Sequence, residues 1–307
     1  MDQQTDERTV REPVVLSVHT VPDDAPPERL DRYAAAEIPL FASRKGAYKA
    51  AKAGTLRVNG EPASPDMTIA PGMRLEVRAA GTPPPVYDLP LRVVLEDEDF
   101  AVIEKPPGIP VSGNYRHTVE RALRGSLKAS AALDALPWPR PVHRLDAPTG
   151  GLLLIAKTAS AMVALSRQFQ VRAVHKCYTA IVTGRLEGGG VVCTPIDGRQ
   201  AETTYRTSGH TRSLHSEWLT TVEAEPMTGR THQIRRHLAE IGHPIAGDSQ
   251  YGVPGKTLMG KGLFLWATRL AFNHPKDGHE IVTTCPPPPK FSSYLRREER
   301  RYSRTTS

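Results

Sequence analysis

The chain has little cysteine and no cysteine pair. Cys177, Cys193 and Cys285 are widely spaced, and no Cys-x-x-Cys occurs. That argues against a disulfide framework and a zinc knuckle, and it fits a reducing compartment. No apolar run approaches the roughly 20 residues that a helical bilayer span needs. The opening Met-Asp-Gln-Gln-Thr-Asp-Glu-Arg is polar and acidic, unlike a secretory leader. These absences predict a cytoplasmic protein with no membrane partner. Gly-x-Ser-x-Gly and Gly-x-Gly-x-x-Gly are also missing, which removes support for a hydrolase elbow or a dinucleotide site. Gly255-Lys256-Thr257 ends like a phosphate loop, but the glycine required five positions earlier is Gln250. His232 and His237 are five apart rather than four, with Arg235 and Arg236 between them, so a helical zinc pair is not expected.

Acidic residues are in deficit. The 307 residues carry 40 Lys and Arg against 33 Asp and Glu, a formal charge of +7, which makes a polyanion a plausible partner class. The length allows two domains, or one large domain and a small module. Residues 1 to 27, charged and proline-bearing without periodicity, predict a flexible lead-in. From 28 to 80 the pattern tightens. Leu30, Tyr33 and Ala34 recur at helical spacing, and a second helix is predicted from Ser43, a good N-cap, to Ala53, stopped by Gly54. Leu56 and Val58 alternate before the turn signal Asn59-Gly60, and Met73, Leu75 and Val77 form another alternating strand. Lys45, Lys49 and Lys52 fall at i, i+4 and i+7 on one helix face. A solvated face is the ordinary explanation of such a stripe.

Residues 81 to 90 contain three consecutive prolines and predict a stiff linker. A second domain is expected over residues 91 to 290. Val93 to Leu95 and Phe100 to Ile103 read as strands, Thr118 to Leu127 as a helix, and Pro137 to Pro141 as a break. Met162, Leu165 and Phe169 give an amphipathic helix whose stripe belongs to the core. Strands follow at Tyr178 to Val182, Trp218 to Glu225, Leu263 to Phe272 and Glu280 to Thr284, with a helix marked by Ile234, Leu238 and Ile241. Without regular β-α-β alternation, the class is α+β with a mixed sheet. Residues 291 to 307 form a basic tail.

The stretch Val142 to Lys157 is where the chemistry is expected. Leu152 to Ala156 is a wholly apolar run, preceded by a turn at Pro148, Gly150 and Gly151. Asp146 stands at the mouth of that turn, after Arg144. A carboxylate between a cation and a dry wall is a candidate nucleophile or base. Taken alone, it is more often a turn cap.

Four segments in order change that balance. Phe100-Ala-Val-Ile-Glu-Lys-Pro-Pro-Gly108, His143-Arg-Leu-Asp-Ala-Pro-Thr-Gly-Gly-Leu152, Lys176-Cys-Tyr-Thr-Ala-Ile-Val182 and Gly229-Arg-Thr-His-Gln-Ile-Arg-Arg-His through Gly252 resemble the RluA-type pseudouridine synthases. The segment from Arg29 to Val77 resembles the α-L RNA-binding motif of a small-subunit ribosomal protein. One departure is visible: Gly150 stands where the family usually has serine.

The resemblance implies a pseudouridine synthase fold, with a mixed, largely antiparallel sheet and flanking helices, plus a small N-terminal α/β RNA-binding module. It implies isomerisation of uridines in ribosomal or transfer RNA, which is redox-neutral and requires no cofactor and no metal. Asp146 would be the catalytic carboxylate, Arg235 the arginine that pairs with it, and Tyr178 the aromatic that stacks on uracil and assists proton removal. Arg144, His143, Arg230, His232 and Gln233 would bind the substrate at the site, and Lys45, Lys49 and Lys52 would hold RNA through the module. RNA is the expected partner, with no required protein partner and a monomeric state. The rival from another class is a non-catalytic RNA-binding or RNA-chaperone protein on the same scaffold. A glycoside hydrolase would want two cooperating carboxylates, and the Asp146 stretch offers one.

Overall fold

The computed structural model describes residues 14–41, 43–79, 85–253 and 260–306. The first 13 residues of the lead-in, part of the proline linker and the Gly255-Lys256-Thr257 segment lie outside the described residues. The N-terminal unit runs β1 (Val15–Thr20), β2 (Glu28–Arg29), α1 (Leu30–Glu37), α2 (Arg44–Lys52), β3 (Leu56–Val58), β4 (Glu61–Pro62), β5 (Thr68–Ile69) and β6 (Arg74–Arg78). Ser43 caps α2 by accepting the Gly46 N–H. Asn59 and Gly60, both at positive φ, turn β3 into β4, as an Asn-Gly hairpin should. Asp31, almost fully buried, accepts from Arg29 and Arg44 and so ties α1 to α2. Burial would raise the pKa of its carboxyl, but the hydrogen bonds from the two guanidinium groups hold it below the usual range.

The expectation of a flexible lead-in over residues 1 to 27 fails at β1. Val15 to Thr20 pairs antiparallel with β6, in a four-stranded sheet of order β1-β6-β3-β4. The strand lacks a clean alternating pattern because one side of it meets a helix of the second domain rather than the module's own core.

The second domain continues β7 (Arg92–Glu96), β8 (Phe100–Lys105), α3 (Val119–Ser126), β9 (Ala135–Pro141), β10 (Gly150–Thr158), α4 (Ala159–Gln170), β11 (His175–Thr183) and β12 (Gly189–Val192). It ends with β13 (Thr203–Ser213), β14 (Glu217–Pro226), α5 (Gln233–Glu240), β15 (Leu265–Asn273), β16 (Glu280–Thr284) and α6 (Lys290–Thr306). The main sheet has the order β12-β13-β14-β11-β15-β10-β8-β7, with β16 beside β15 and β9 beside β10. Pairing among these strands is antiparallel except at one place. There β10 and β15 run parallel, through Gly150 beside Trp266 and Gly151 beside Ala267. The sheet is therefore mixed and largely antiparallel, and its single parallel joint sits where the Asp146 turn enters β10. All nine residues of β10 are buried, the apolar run Leu152 to Ala156 as expected and the following Lys157 with its charge paired to Glu96.

Three further expectations need correction. Pro137 to Pro141 is not a break but lies within β9, which pairs with β10 through Ala135, Arg140 and Pro141; an edge position tolerates proline's missing N–H. Of the linker, residues 85–90 pack on α3 rather than spacing the domains: Tyr87 donates its N–H to the Arg121 carbonyl and stacks on His117. The basic tail is the long helix α6, tied to β13 by buried Glu298 and packed on Phe264 through buried Phe291 and Tyr294. Among the described residues, no helix is long and apolar enough to cross a membrane.

Candidate active site

Asp146 lies in the loop between β9 and β10. Its main chain is held from several sides: its carbonyl accepts the Thr149 N–H, and the next carbonyl, of Ala147, accepts the Gly108 N–H at 2.7 Å. Lys105, fully buried at the end of β8, completes the clamp. Its Nζ donates to the carbonyls of Pro106 at 2.9 Å, Ala147 at 3.1 Å and Thr149 at 2.8 Å. Three acceptors match the three N–H groups of an ammonium. Burial pulls its pKa down to about 7, while the Asp146 carboxylate pulls it the other way. In the sequence the Lys-Pro-Pro-Gly segment is legible only as a motif, and nothing there assigns this lysine a role. The available signal is a lysine closing a strand whose first four residues, Phe100 to Ile103, are apolar.

Gly150 and Gly151 explain themselves at the joint with β15. A Cβ on Gly150 would overlap the six-membered ring of the Trp266 indole, and one on Gly151, at φ +110°, would overlap the backbone of Ala267. Where the resembling family usually carries serine, this chain carries a tryptophan ring from the neighbouring strand.

The Asp146 carboxylate does not cap its turn. Among the described residues, Oδ2 accepts from Arg235 Nη1 at 3.3 Å, and Oδ1 lies 3.9 Å from His232 Nε2. Arg235, on α5 and about 5% exposed, is itself held by Asp248. Its Nε and Nη2 donate to the two oxygens of that carboxylate at 2.7 and 2.9 Å, and its Nη2 also reaches Gln250. Burial opposes the Asp248 charge, but the guanidinium and the N–H groups of Gln250 and Tyr251 keep its pKa below the usual range. The fork of Arg235 is thus fixed by one buried carboxylate, and its remaining corner is presented to another. Asp248 is too deeply engaged to serve as a second carboxylate for glycoside hydrolysis.

Tyr178, on β11 and about 8% exposed, completes the group. Burial, and then the nearby Asp146 charge, push its phenol above the ordinary value, so it is a protonated ring at neutral pH. His232 takes a left-handed conformation, φ +56°, immediately before α5. Its Nδ1 shares a hydrogen bond with the Tyr251 hydroxyl at 2.9 Å, and burial lowers its pKa although Asp146 opposes this. A non-glycine residue held there is strained, and such strain gathers at functional sites.

Two expected substrate contacts do other work. His143 accepts the Leu154 N–H on Nε2 and stacks on Phe169 at 4.8 Å; burial, with Lys176 nearby, lowers its pKa to about 3. It fastens the loop to β10. Gln233 is almost fully buried, accepts from Thr228 and the Arg230 N–H, and donates to Glu202 and Thr203. It has no hydrogen-bonding atom left for a substrate. Arg230 is tied through Nε to the Gln200 carbonyl and is half-buried. Arg144 is exposed and makes no salt bridge among the described residues. Lys45, Lys49 and Lys52 are exposed together on α2, in the N-terminal unit rather than on any element that carries Asp146, Tyr178 or Arg235. The buried His237 bonds to Thr203 Oγ1 and the Thr194 carbonyl. Among the described residues, two side-chain groups could hold a cation: Asp97, Asp99 and His274, and His274, Asp277 and His279. They sit at the β7–β8 and β15–β16 turns rather than at the Asp146 loop.

A fixed carboxylate, an oriented guanidinium and a protonated aromatic ring, on three separate elements, suit a reaction that breaks and remakes a bond to a planar base. A family profile described as RNA pseudouridylate synthase matches residues 99–240. The chain is 35% identical over 300 residues to the ribosomal large subunit pseudouridine synthase D of Xanthomonas campestris pv. campestris, covering 87% of this chain and 88% of that one. It is 30% identical to the ribosomal large subunit pseudouridine synthase C of Pasteurella multocida, covering 96% and 97%. Among solved structures, human RNA pseudouridylate synthase domain containing 1 is similar at a TM-score of 0.54 and 25% identity, over 64% of this chain and 83% of that one. With a relative of that identity matched over most of both lengths, the chain belongs to the RNA pseudouridylate synthase family and is an isomerase that converts uridine in RNA to pseudouridine.

Proposed function

We propose that this chain modifies uridines of large-subunit ribosomal RNA, with Asp146 as the carboxylate that acts on the target nucleotide. The observation that carries the assignment of Asp146 is its oxygen on Arg235, a guanidinium already fixed by Asp248. A carboxylate held only to stabilise a turn has no need of such a partner. The choice of RNA rests on relatives named for the large ribosomal subunit at 35% identity. In this reading the uridine leaves its helix to reach Asp146, which costs about a few kcal/mol. Arg144, exposed two residues away, fills the vacated stack, and Tyr178 lies flat against the uracil. His232 and Arg230 bound the pocket on the α5 side. Lys45, Lys49 and Lys52 hold phosphates at a distance, contacts that position RNA without reading its sequence. The ribosomal substrate places this work in the cytoplasm.

Asp146→Asn tests the central residue. Asparagine is nearly isosteric, and Arg235 keeps Asp248, so the stability loss should stay below about 2 kcal/mol. Tritium release from RNA containing 5-tritiated uridine should fall to background, while RNA binding persists because phosphate contacts supply most of the affinity. Normal release from the folded variant would remove Asp146 from the chemistry. Mapping pseudouridines in large-subunit RNA with and without the gene checks the substrate; a lost site in transfer RNA alone would overturn it.

A further inference from the structure

At the far end of the β13–β14 hairpin, Trp218 lies between two arginines. The Arg212 guanidinium sits 3.9 Å from its ring centroid and that of Arg185 4.7 Å away. Arg212 also lies 5.1 Å from the ring of Tyr302, which carries the arrangement onto α6. That helix has two faces. Phe291, Tyr294 and Glu298 are buried, and Glu298 accepts from Ser213 Oγ at 2.9 Å. Arg296, Glu299, Arg300 and Arg304 are exposed. Of the two acidic residues on α6, one is therefore spent inside, and among the described residues the one ion pair on this helix joins Arg301 to Glu298. Arg296, Arg300 and Arg304 stand at i, i+4 and i+8, a stripe about 12 Å long at 1.5 Å per residue, opposed only by Glu299.

Helix stability accounts for part of this, since cations near a helix C-terminus interact favourably with its dipole. It does not account for Arg296, a turn and more from that end, or for the paired arginines on Trp218, which belongs to the sheet. Guanidinium planes interleaved with an aromatic ring suit RNA, whose unstacked bases lie on such planes while its phosphates take the charge. An acidic protein would use the charge but not the planes.

We propose that the outer arginines of α6, with Trp218 and Arg212, form a second RNA-holding surface remote from the catalytic loop. The separation follows from β13. Thr203, at one end, bonds to Gln233 and His237 beneath the active-site helix α5. Ser213, at the other, bonds to α6. Ten steps of strand put about 30 Å between those ends. The N-terminal module meets α4 instead. RNA longer than a single hairpin is therefore gripped on two flanks of the target site. The large-subunit assignment enters only in the choice of probe.

The test uses the full chain with Arg296, Arg300 and Arg304 changed together to glutamine, a good helix former that carries no charge. Binding to a transcript of large-subunit ribosomal RNA should weaken, and the slope of log K against log salt should fall by about 0.7 to 0.9 per lost phosphate contact. Tritium release from a short saturating hairpin should stay at the wild-type value, which separates this surface from the catalytic assignment. The triple lysine variant keeps the charge and should keep the salt slope. Arg212→Ala should weaken binding to the transcript without changing release from the hairpin. Unchanged affinity and slope in the glutamine variant would overturn the proposal. So would a lysine variant that loses binding together with helicity, because the loss would then come from α6 unfolding.

Discussion

The indole of Trp266 fills the space into which any side chain at position 150 would project. In the sequence, Gly150 stands out as a departure from the resembling family and puts a serine hydroxyl's hydrogen bond in question. In the structure it is one half of a pair whose other half lies 116 residues away on β15. Gly150→Ser should destabilise the protein by about 1–3 kcal/mol, the usual cost of overpacking a filled core. The same change should cost less in a Trp266→Leu background, since leucine lacks the ring edge that collides. A double-mutant cycle by chemical denaturation measures the difference; strictly additive costs would dissociate the two positions. Lys105 teaches a related lesson at the same scale. Its motif is legible, but its three carbonyl partners come from three different residues, two of them more than 40 positions away. His143 and Gln233 are the converse case. Polar residues beside a catalytic motif look like ligands for substrate until their hydrogen-bond partners can be counted.

At the scale of elements, the helices follow their sequence signals well. The α2 cap at Ser43, the α3 cap at Thr118 and the α4 cap at Thr158 each accept a backbone N–H three residues on, a local event that needs no distant partner. Strands fare unevenly. β10 is plain through its apolar run Leu152 to Ala156, whereas β13 is not legible: its eleven residues are rich in Thr and Ser, and only its two ends are buried. A strand exposed along most of its length has no alternation to display. On α2, the exposed Lys45, Lys49 and Lys52 form a face free of acidic residues. Replacing all three with alanine should weaken RNA binding and flatten its salt dependence by about 0.7 log units per lost contact on a single strand. Release from a short saturating RNA should not change. An unaltered salt slope by filter binding would return the stripe to the role of a solvated surface.

At the scale of the whole molecule, the N-terminal unit has its own core but is not merely tethered. β1 lies against α4, where Leu16 and Val18 border a groove with Val163, Ala164 and Val171, and Gln170 donates to the Ala36 carbonyl. Removing residues 1 to 79 should therefore do two things. It should lower affinity for RNA, and it should uncover apolar surface on α4, lowering the denaturation midpoint of the remaining domain. Turnover of a small RNA at saturating concentration should survive in the folded fragment; its loss would place part of the active site in the module.

The sequence by itself determined the class of fold, the Ser43 helix cap, the Asn-Gly hairpin, the apolar run inside β10 and, through four ordered motifs, the family and the candidacy of Asp146. Each depends on residues close together along the chain, or on a motif that can be read without its partners. The resemblance implied that Arg235 pairs with Asp146, and only tertiary structure decided what holds the two in place. Arg235 is 89 residues away, Asp248 fixes that arginine, and Lys105 clamps the turn from β8. Burial makes those contacts strong, and burial is set by packing across the sheet rather than by neighbours in the chain. The same holds for α6: composition shows a basic tail, but only its docking on β13 decides that Glu298 turns inward and the arginines face solvent.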